Sequence, residues 1–351
     1  MSKEEVREML EDYYRNCLKP QYRFGYTDIE GRGNSESQSY ALLQSFWMDD
    51  KKTFDRVWLW TQRNLQREED NLFSWDFELK NSFINFPFKK ANIKDENPAT
   101  DADTDIAYAL LLAGEKWKDD EYIEEAKKII NGIWEQEVTE HQGRLYLLPG
   151  NWAVDEQRIV INPSYFSPVA FQLFARYDSN HDWNKLYTDS YLNLKDIQNQ
   201  VNRGEKNILP TNWVVINKSN NMIHPFEGKP DSYDYSYDAF RTLWRAGFHQ
   251  QTSPSFPSWE YISAFRSIFE ADWNDDQNLC TLYHYRNQRL ECNSSTTGLA
   301  GIIGALSVTN GYVAEQIIKK HYIHENTLSF PENSFYGGSW HWFAAWLWTQ
   351  T

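Results

Sequence analysis

Apolar residues recur along most of this chain at intervals of three and four, so its elements are helices, and the helices are of two alternating kinds. The first kind carries one apolar stripe with charges opposite: residues 3–18 (Val6, Met9, Leu10, Tyr13, Cys17), 52–67 (Phe54, Val57, Trp58, Thr61, Leu65) and 120–135 (Tyr122, Ile123, Ala126, Ile129, Ile130, Ile133). It continues at 183–200, 258–271 and 311–322. The second kind is apolar nearly all round: Tyr40 to Trp47, Ile106 to Ala113, Tyr165 to Ala175, Ala239 to Phe248, Gly298 to Leu306 and Trp342 to Trp348. A striped helix lies on a surface, whereas a helix with no polar face is buried on every side. Six of each, spaced about 29 residues apart, predict six hairpins with an inner ring wrapped by an outer one. The expected fold is all-α, an (α/α)6 barrel. No linker-like stretch interrupts the alternation, so residues 1–351 are expected to form a single domain. An open solenoid would show a repeated consensus with polar caps, and no such self-similarity is visible.

A net charge of −15, spread along the chain, disfavours nucleic acid and anionic membrane surfaces as partners. No window approaches 18 uninterrupted apolar residues, and Met1-Ser2-Lys3-Glu4-Glu5-Val6 opens a charged helix rather than a signal peptide. A soluble monomer is expected. Cys17, Cys280 and Cys292 show no C-x-x-C spacing and give no disulfide framework or zinc site, although the count leaves a Cys280–Cys292 bridge open. The 16 Trp, 21 Tyr and 20 Phe suit a core, and equally suit flat platforms on which rings stack.

Polar clusters stand at the starts of four inner helices. They are Ser35-Glu36-Ser37-Gln38-Ser39-Tyr40, Asn97-Pro98-Ala99-Thr100-Asp101-Ala102-Asp103-Thr104-Asp105, Asn162-Pro163-Ser164-Tyr165 and Tyr237-Asp238-Ala239-Phe240-Arg241. Parallel inner helices would bring all four to one end of the ring. Each has an ordinary reading as a helix cap, and Asn162-Pro163 fits that reading well. The alternating aspartates of the second cluster are not a calcium loop, because Ile106 and Leu112 stand where Gly and Glu are required. No metal or other cofactor is expected. Capping does not account for Glu36, which lies outside the capping-box position, nor for Asp238 with Arg241 one turn away to orient it. Two carboxyls facing across an aromatic cleft are what glycosidic bond hydrolysis requires.

At these residues the chain resembles glycoside hydrolase family 8, whose members are (α/α)6 barrels that cleave β-1,4-linked polysaccharides with inversion. The four clusters resemble the family's S/T-E-G-x-S-Y, A-T/S-D-x-D, N-P-S-Y and Y-D-A-x-R, in order, over a stretch from about residue 30 to the C-terminus. The resemblance implies one catalytic domain in which Glu36 is the general acid, Asp238 the general base, and Asp101 and Tyr165 hold and distort the central sugar. It further implies that Arg241 orients Asp238, that Tyr336 lies near the attacking water, and that Trp75 and Trp152 are stacking platforms. Ser37 departs from the family's Gly, where a β-carbon could crowd a sugar or shift Glu36. The expected substrate is a polysaccharide or oligosaccharide, with endo-action on β-1,4-glucan favoured over chitosan, xylan or mixed-linkage glucan. Inversion implies carboxyl groups about 6.5–9.5 Å apart. A non-catalytic glycan-binding protein on the same scaffold is the alternative, and a terpenoid-cyclase-like toroid is a weaker one. Family members are usually secreted or periplasmic, while the start of this sequence leaves an intracellular location open.

Overall fold

The computed structural model describes all residues except 1, 23–25, 29, 80–89, 202–208, 278, 285–287, 293–295 and 329–334. Its helices are α1 (Lys3–Tyr13), α2 (Ser35–Trp47), α3 (Lys51–Leu65), α4 (Thr100–Trp117), α5 (Asp120–Glu137) and α6 (Pro168–Tyr177). The remainder are α7 (Trp183–Val201), α8 (Phe240–Thr252), α9 (Phe256–Asp276), α10 (Leu299–Thr309), α11 (Gly311–His321) and α12 (Phe335–Gln350). Even-numbered helices are the apolar ones, and each packs on the next: α2 on α4, α4 on α6, α6 on α8, α8 on α10, α10 on α12, and α12 back on α2. That last contact closes the inner ring, as the alternation predicts. The striped helices pack outside it, α3 on α2, α5 on α4, and so on to α1, which covers α12. The seam is stapled by polar bonds. Lys3 Nζ donates to the Thr351 carbonyl, Arg7 Nη2 to the Thr349 carbonyl at 2.6 Å, and Trp342 Nε1 to the Leu10 carbonyl at 3.3 Å.

The inner ring is drawn tight by small residues. A β-carbon on Gly301 would lie 2.2 Å from the Phe240 carbonyl oxygen, and one on Gly247 would lie 2.3 Å from that of Gly304, so α8 and α10 approach backbone to backbone.

The structure adds short strands that periodicity does not reveal. Strand β1 (Arg32–Asn34) runs into α2 and pairs with β2 (Ser74–Leu79), which pairs with β3 (Ala91–Pro98), the lead-in to α4. The β4 (Val138–His141) and β5 (Arg144–Leu147) hairpin follows α5. Strand β6 (Arg158–Ile161) precedes Tyr165 and pairs with β7 (Val214–Asn217), which pairs with β8 (Ile223–Pro225). In the hairpin β9 (Leu282–His284) and β10 (Gln288–Glu291), Tyr283 exchanges backbone hydrogen bonds of 3.0 and 2.9 Å with Tyr235, ahead of α8. These ribbons tie together the starts of the inner helices, which are thereby fixed in relation to one another. Cys280 and Cys292 form a disulfide across the β9–β10 hairpin, settling what the cysteine count left open. Among the described residues, no helix is long and apolar enough to cross a membrane.

Candidate active site

The four clusters converge at one end of the inner ring, and Arg241 joins three of them. Its Nη1 donates to Glu36 Oε1 and, at 2.8 Å, to Asp101 Oδ2, while Nη2 donates to Asp238 Oδ1 at 2.6 Å. Glu36 and Asp238 therefore sit on the two different tips of one guanidinium fork. Tyr165 lies beneath the same group, its ring 5.3 Å from the guanidinium carbon. One turn deeper, Arg245 makes a bidentate pair with Asp105 at 2.8 and 2.7 Å, so two rungs link α8 to α4 across the ring.

Each side chain owes its place to a helix start. Asn34 caps α2, its Oδ1 accepting the Ser37 N–H at 2.8 Å, and this sets Glu36 in the first turn. Asp101 is in the first turn of α4, anchored by the Thr100 hydroxyl on the Leu148 carbonyl at 2.6 Å. Carboxylates at these positions also gain from the positive end of the helix dipole. Tyr165 closes a 3-10 turn, Pro163–Tyr165, capped by Asn162, so the third inner helix begins later than the apolar run suggests, at Pro168. Tyr336 opens α12 and donates its hydroxyl to the Tyr237 carbonyl.

Burial pushes the Glu36 carboxyl up to about 8, opposed by Arg241 and reinforced by Asp101. Tyr40, the last residue of the first cluster, donates its hydroxyl to Glu36 Oε1. Asp101 is likewise raised by burial, against the pull of Arg241 and Arg245. Glu36 and Asp238 line the same cleft. Trp75 and Trp152 line the cleft with 39% and 46% of their surfaces exposed, values that suit platforms rather than core residues.

The family model of Glycosyl hydrolases family 8 matches residues 27–326.

This chain belongs to that family.

An endoglucanase of Cellulomonas uda is 30% identical over 66% of this chain and 60% of its own length, and a probable endoglucanase of Novacetimonas hansenii is 29% identical over 64% and 61%. The chain thus matches about three-fifths of these curated relatives. Among solved structures, a β-1,3-1,4-glucanase from Paenibacillus sp. X4 superposes with a TM-score of 0.79 at 20% identity, covering 100% of this chain and 93% of that one. An endo-β-1,4-glucanase from Acetobacter xylinum gives 0.73 at 20% identity over 99% and 98%. These likenesses establish the family 8 fold.

Ser37, the departure from the family motif, does not face the cleft. It is buried within the ordinary helical backbone of α2, its hydroxyl 2.7 Å from the Tyr26 and Asn34 carbonyls and accepting from Gln38 Nε2 at 2.9 Å. It serves as the inner member of the capping box with Asn34. Trp213, which sequence reading passes over, donates its indole N–H to Asp238 Oδ2 at 2.8 Å. Its only sequence signal is an aromatic residue after Pro210-Thr211-Asn212 and ahead of an apolar strand.

The three alternating aspartates divide between two faces of α4, because residues four apart share a face and the residue midway between them points away. Asp101 and Asp105 meet the arginines, while Asp103 accepts the Phe73 N–H at 2.9 Å and faces Glu137, both fully buried. Asp103 Oδ2 and both Glu137 oxygens meet no donor in good hydrogen-bond geometry among the described residues, and contact between two buried carboxyls is favourable only when they share a proton. Burial holds both groups well above the usual carboxyl range, with repulsion from Asp101 adding to it at Asp103 and repulsion from Asp103 adding to it at Glu137. The folded protein therefore binds more protons here than the unfolded chain does above the ordinary carboxyl pKa of about 4, and stability falls as pH rises from there. Glu137→Gln supplies an amide donor in place of the proton. It is expected to flatten this fall by about 1.4 kcal/mol per pH unit for each proton no longer required. Thermal unfolding of both proteins at pH 5 and pH 8 checks this, and parallel pH trends would remove the shared proton.

Proposed function

We propose that this family 8 chain is an inverting endo-β-1,4-glucanase working as one catalytic domain, with Glu36 as general acid and Asp238 as general base. The observation that carries the reading is the division of labour on the Arg241 fork. One carboxyl is buried and raised to about 8, and so is ready to give a proton to the glycosidic oxygen. The other, more exposed, has a donor on each oxygen and is held as an acceptor facing the cleft. In a single displacement, Glu36 protonates the leaving oxygen while Asp238 takes a proton from the water that attacks the opposite face of the ring.

Asp101, Tyr165 and Tyr336 line the same cleft, and in this reading Asp101 and Tyr165 grip the central sugar while Tyr336 lies near the attacking water. Trp75 and Trp152 flank the cleft as stacking surfaces for neighbouring units. The glycan-binding alternative drew its support from Ser37, which is turned away from the cleft. The Cys280–Cys292 disulfide favours an oxidising compartment, consistent with export to the periplasm or beyond.

The test is hydrolysis of cellulose-type β-1,4-glucan, mixed-linkage glucan, xylan and chitosan, with the anomeric proton of the first product followed by NMR. Release of α-anomer, fastest from β-1,4-glucan, is expected. Initial β-anomer would reassign Asp238 as a nucleophile, and binding without new reducing ends would return the glycan-binding reading.

A further inference from the structure

Asn212 and Trp213, immediately ahead of β7, reach the start of α8 from outside it. Asn212 is fully buried, and its Oδ1 accepts the N–H of Ala239, the residue after Asp238, at 2.9 Å. Its Nδ2 donates to the Asp231 carbonyl at 3.1 Å, to the Asp231 carboxylate at 2.9 Å and to the Ser236 hydroxyl. Its backbone N–H donates to the Asp234 carbonyl at 3.0 Å. One side chain and its own backbone thus staple the segment 231–239 around Asp238.

The next residue acts on the Asp238 side chain. The Trp213 indole N–H holds Oδ2 while Arg241 holds Oδ1. The terminal torsion of an aspartate is broad and roughly two-fold, so a single donor leaves the carboxylate able to swing. A second donor on the other oxygen removes that freedom, and indole is a donor only, so it always presents its proton. The groups that share this space are Glu36 from α2, Asp101 from α4, Arg241 from α8 itself, and the phenols of Tyr165 and Tyr336. The Trp213 ring is also part of the cleft wall, 6.4 Å from the Trp152 ring and 5.9 Å from that of Phe226.

We propose that Asn212 and Trp213 are the positioning residues of the base: the amide fixes where Asp238 begins, and the indole fixes which oxygen faces the attacking water. Because the same indole belongs to the aromatic wall, a sugar unit stacked there steadies the base, coupling occupancy of the neighbouring subsite to catalysis. This inference rests on the reading of Asp238 as general base.

Trp213→Phe keeps the ring and removes the N–H. On soluble β-glucan, kcat is expected to fall about tenfold with KM changed by no more than about twofold. Trp152→Ala should do the reverse, raising KM with a smaller effect on kcat. Asn212→Asp, which keeps the acceptor for Ala239 but loses the donors to Asp231 and Ser236, should repeat the kcat-selective loss and guards against a Trp213 variant that does not fold. Wild-type kcat in folded Trp213→Phe, or a loss confined to KM or to melting temperature, overturns the proposal. Asp238→Asn is assayed alongside. Substantial turnover there removes the base reading itself, whereas an inactive Asp238→Asn beside a fully active Trp213→Phe removes this inference alone.

Discussion

Glu36→Gln is expected to leave a folded protein that still binds β-glucan and turns it over about a thousandfold more slowly. The amide keeps an acceptor for Tyr40 and Arg241, both of which bond Oε1, so the fork and its other partners should stay in place. What it lacks is the proton. The wild-type rate should decline above about pH 8, where Glu36 ionises, and this basic limb should vanish in the variant. An activated aryl leaving group needs little protonation, so a dinitrophenyl β-cellooligosaccharide should recover much of the lost rate. Near-normal cleavage of the polysaccharide by the variant, or no recovery with the activated substrate, would withdraw the acid role from Glu36.

Asp238→Asn should be comparably slow, again by about three orders of magnitude, but with the opposite response to leaving group. Deprotonation of water is needed whatever group departs, so the dinitrophenyl substrate should offer no rescue. The substitution also disturbs its surroundings more. Both Asp238 oxygens accept hydrogen bonds, from Arg241 and Trp213, and an amide nitrogen at either place sets donor against donor. A modest fall in melting temperature is expected for this reason, to be read separately from kcat. Recovery of the Asp238 variant with the activated substrate would exchange the two assigned roles.

The parts of the site legible in the sequence are those governed by local rules. Buried helices betray themselves by lacking a polar face, and a carboxylate or arginine at the start of such a helix is conspicuous because little else polar is tolerated there. Glu36, Asp101, Asp238 and Arg241 were visible in this way. Trp213 was not, because its partner lies 25 residues on, beyond the two strands β7 and β8, and nothing local demands the contact. The strands β1 to β10 escaped for a related reason, since most are only three or four residues long, too short for an alternating pattern to show, and β1–β2 and β6–β7 pair over wide gaps. Asp103 and Glu137 were similarly obscure. Asp103 reads as a first-turn aspartate and Glu137 falls just past the striped helix expected over 120–135, until folding extends that helix and buries the two against each other.

The seam where α1 covers α12 bears on how the molecule can come apart. A linear array of hairpins frays from its terminal repeats, each of which has one bare side. In a closed ring whose two chain ends are bonded together, no repeat has a bare side, and disruption has no cheap place to begin. Local opening is then left to the exposed loops of the rim, since the ribbons themselves bury Phe77, Leu147, Ile159 and Val214 in the core. A polysaccharide could be admitted and released through movements at the rim while the cylinder that aligns Glu36 with Asp238 stays intact.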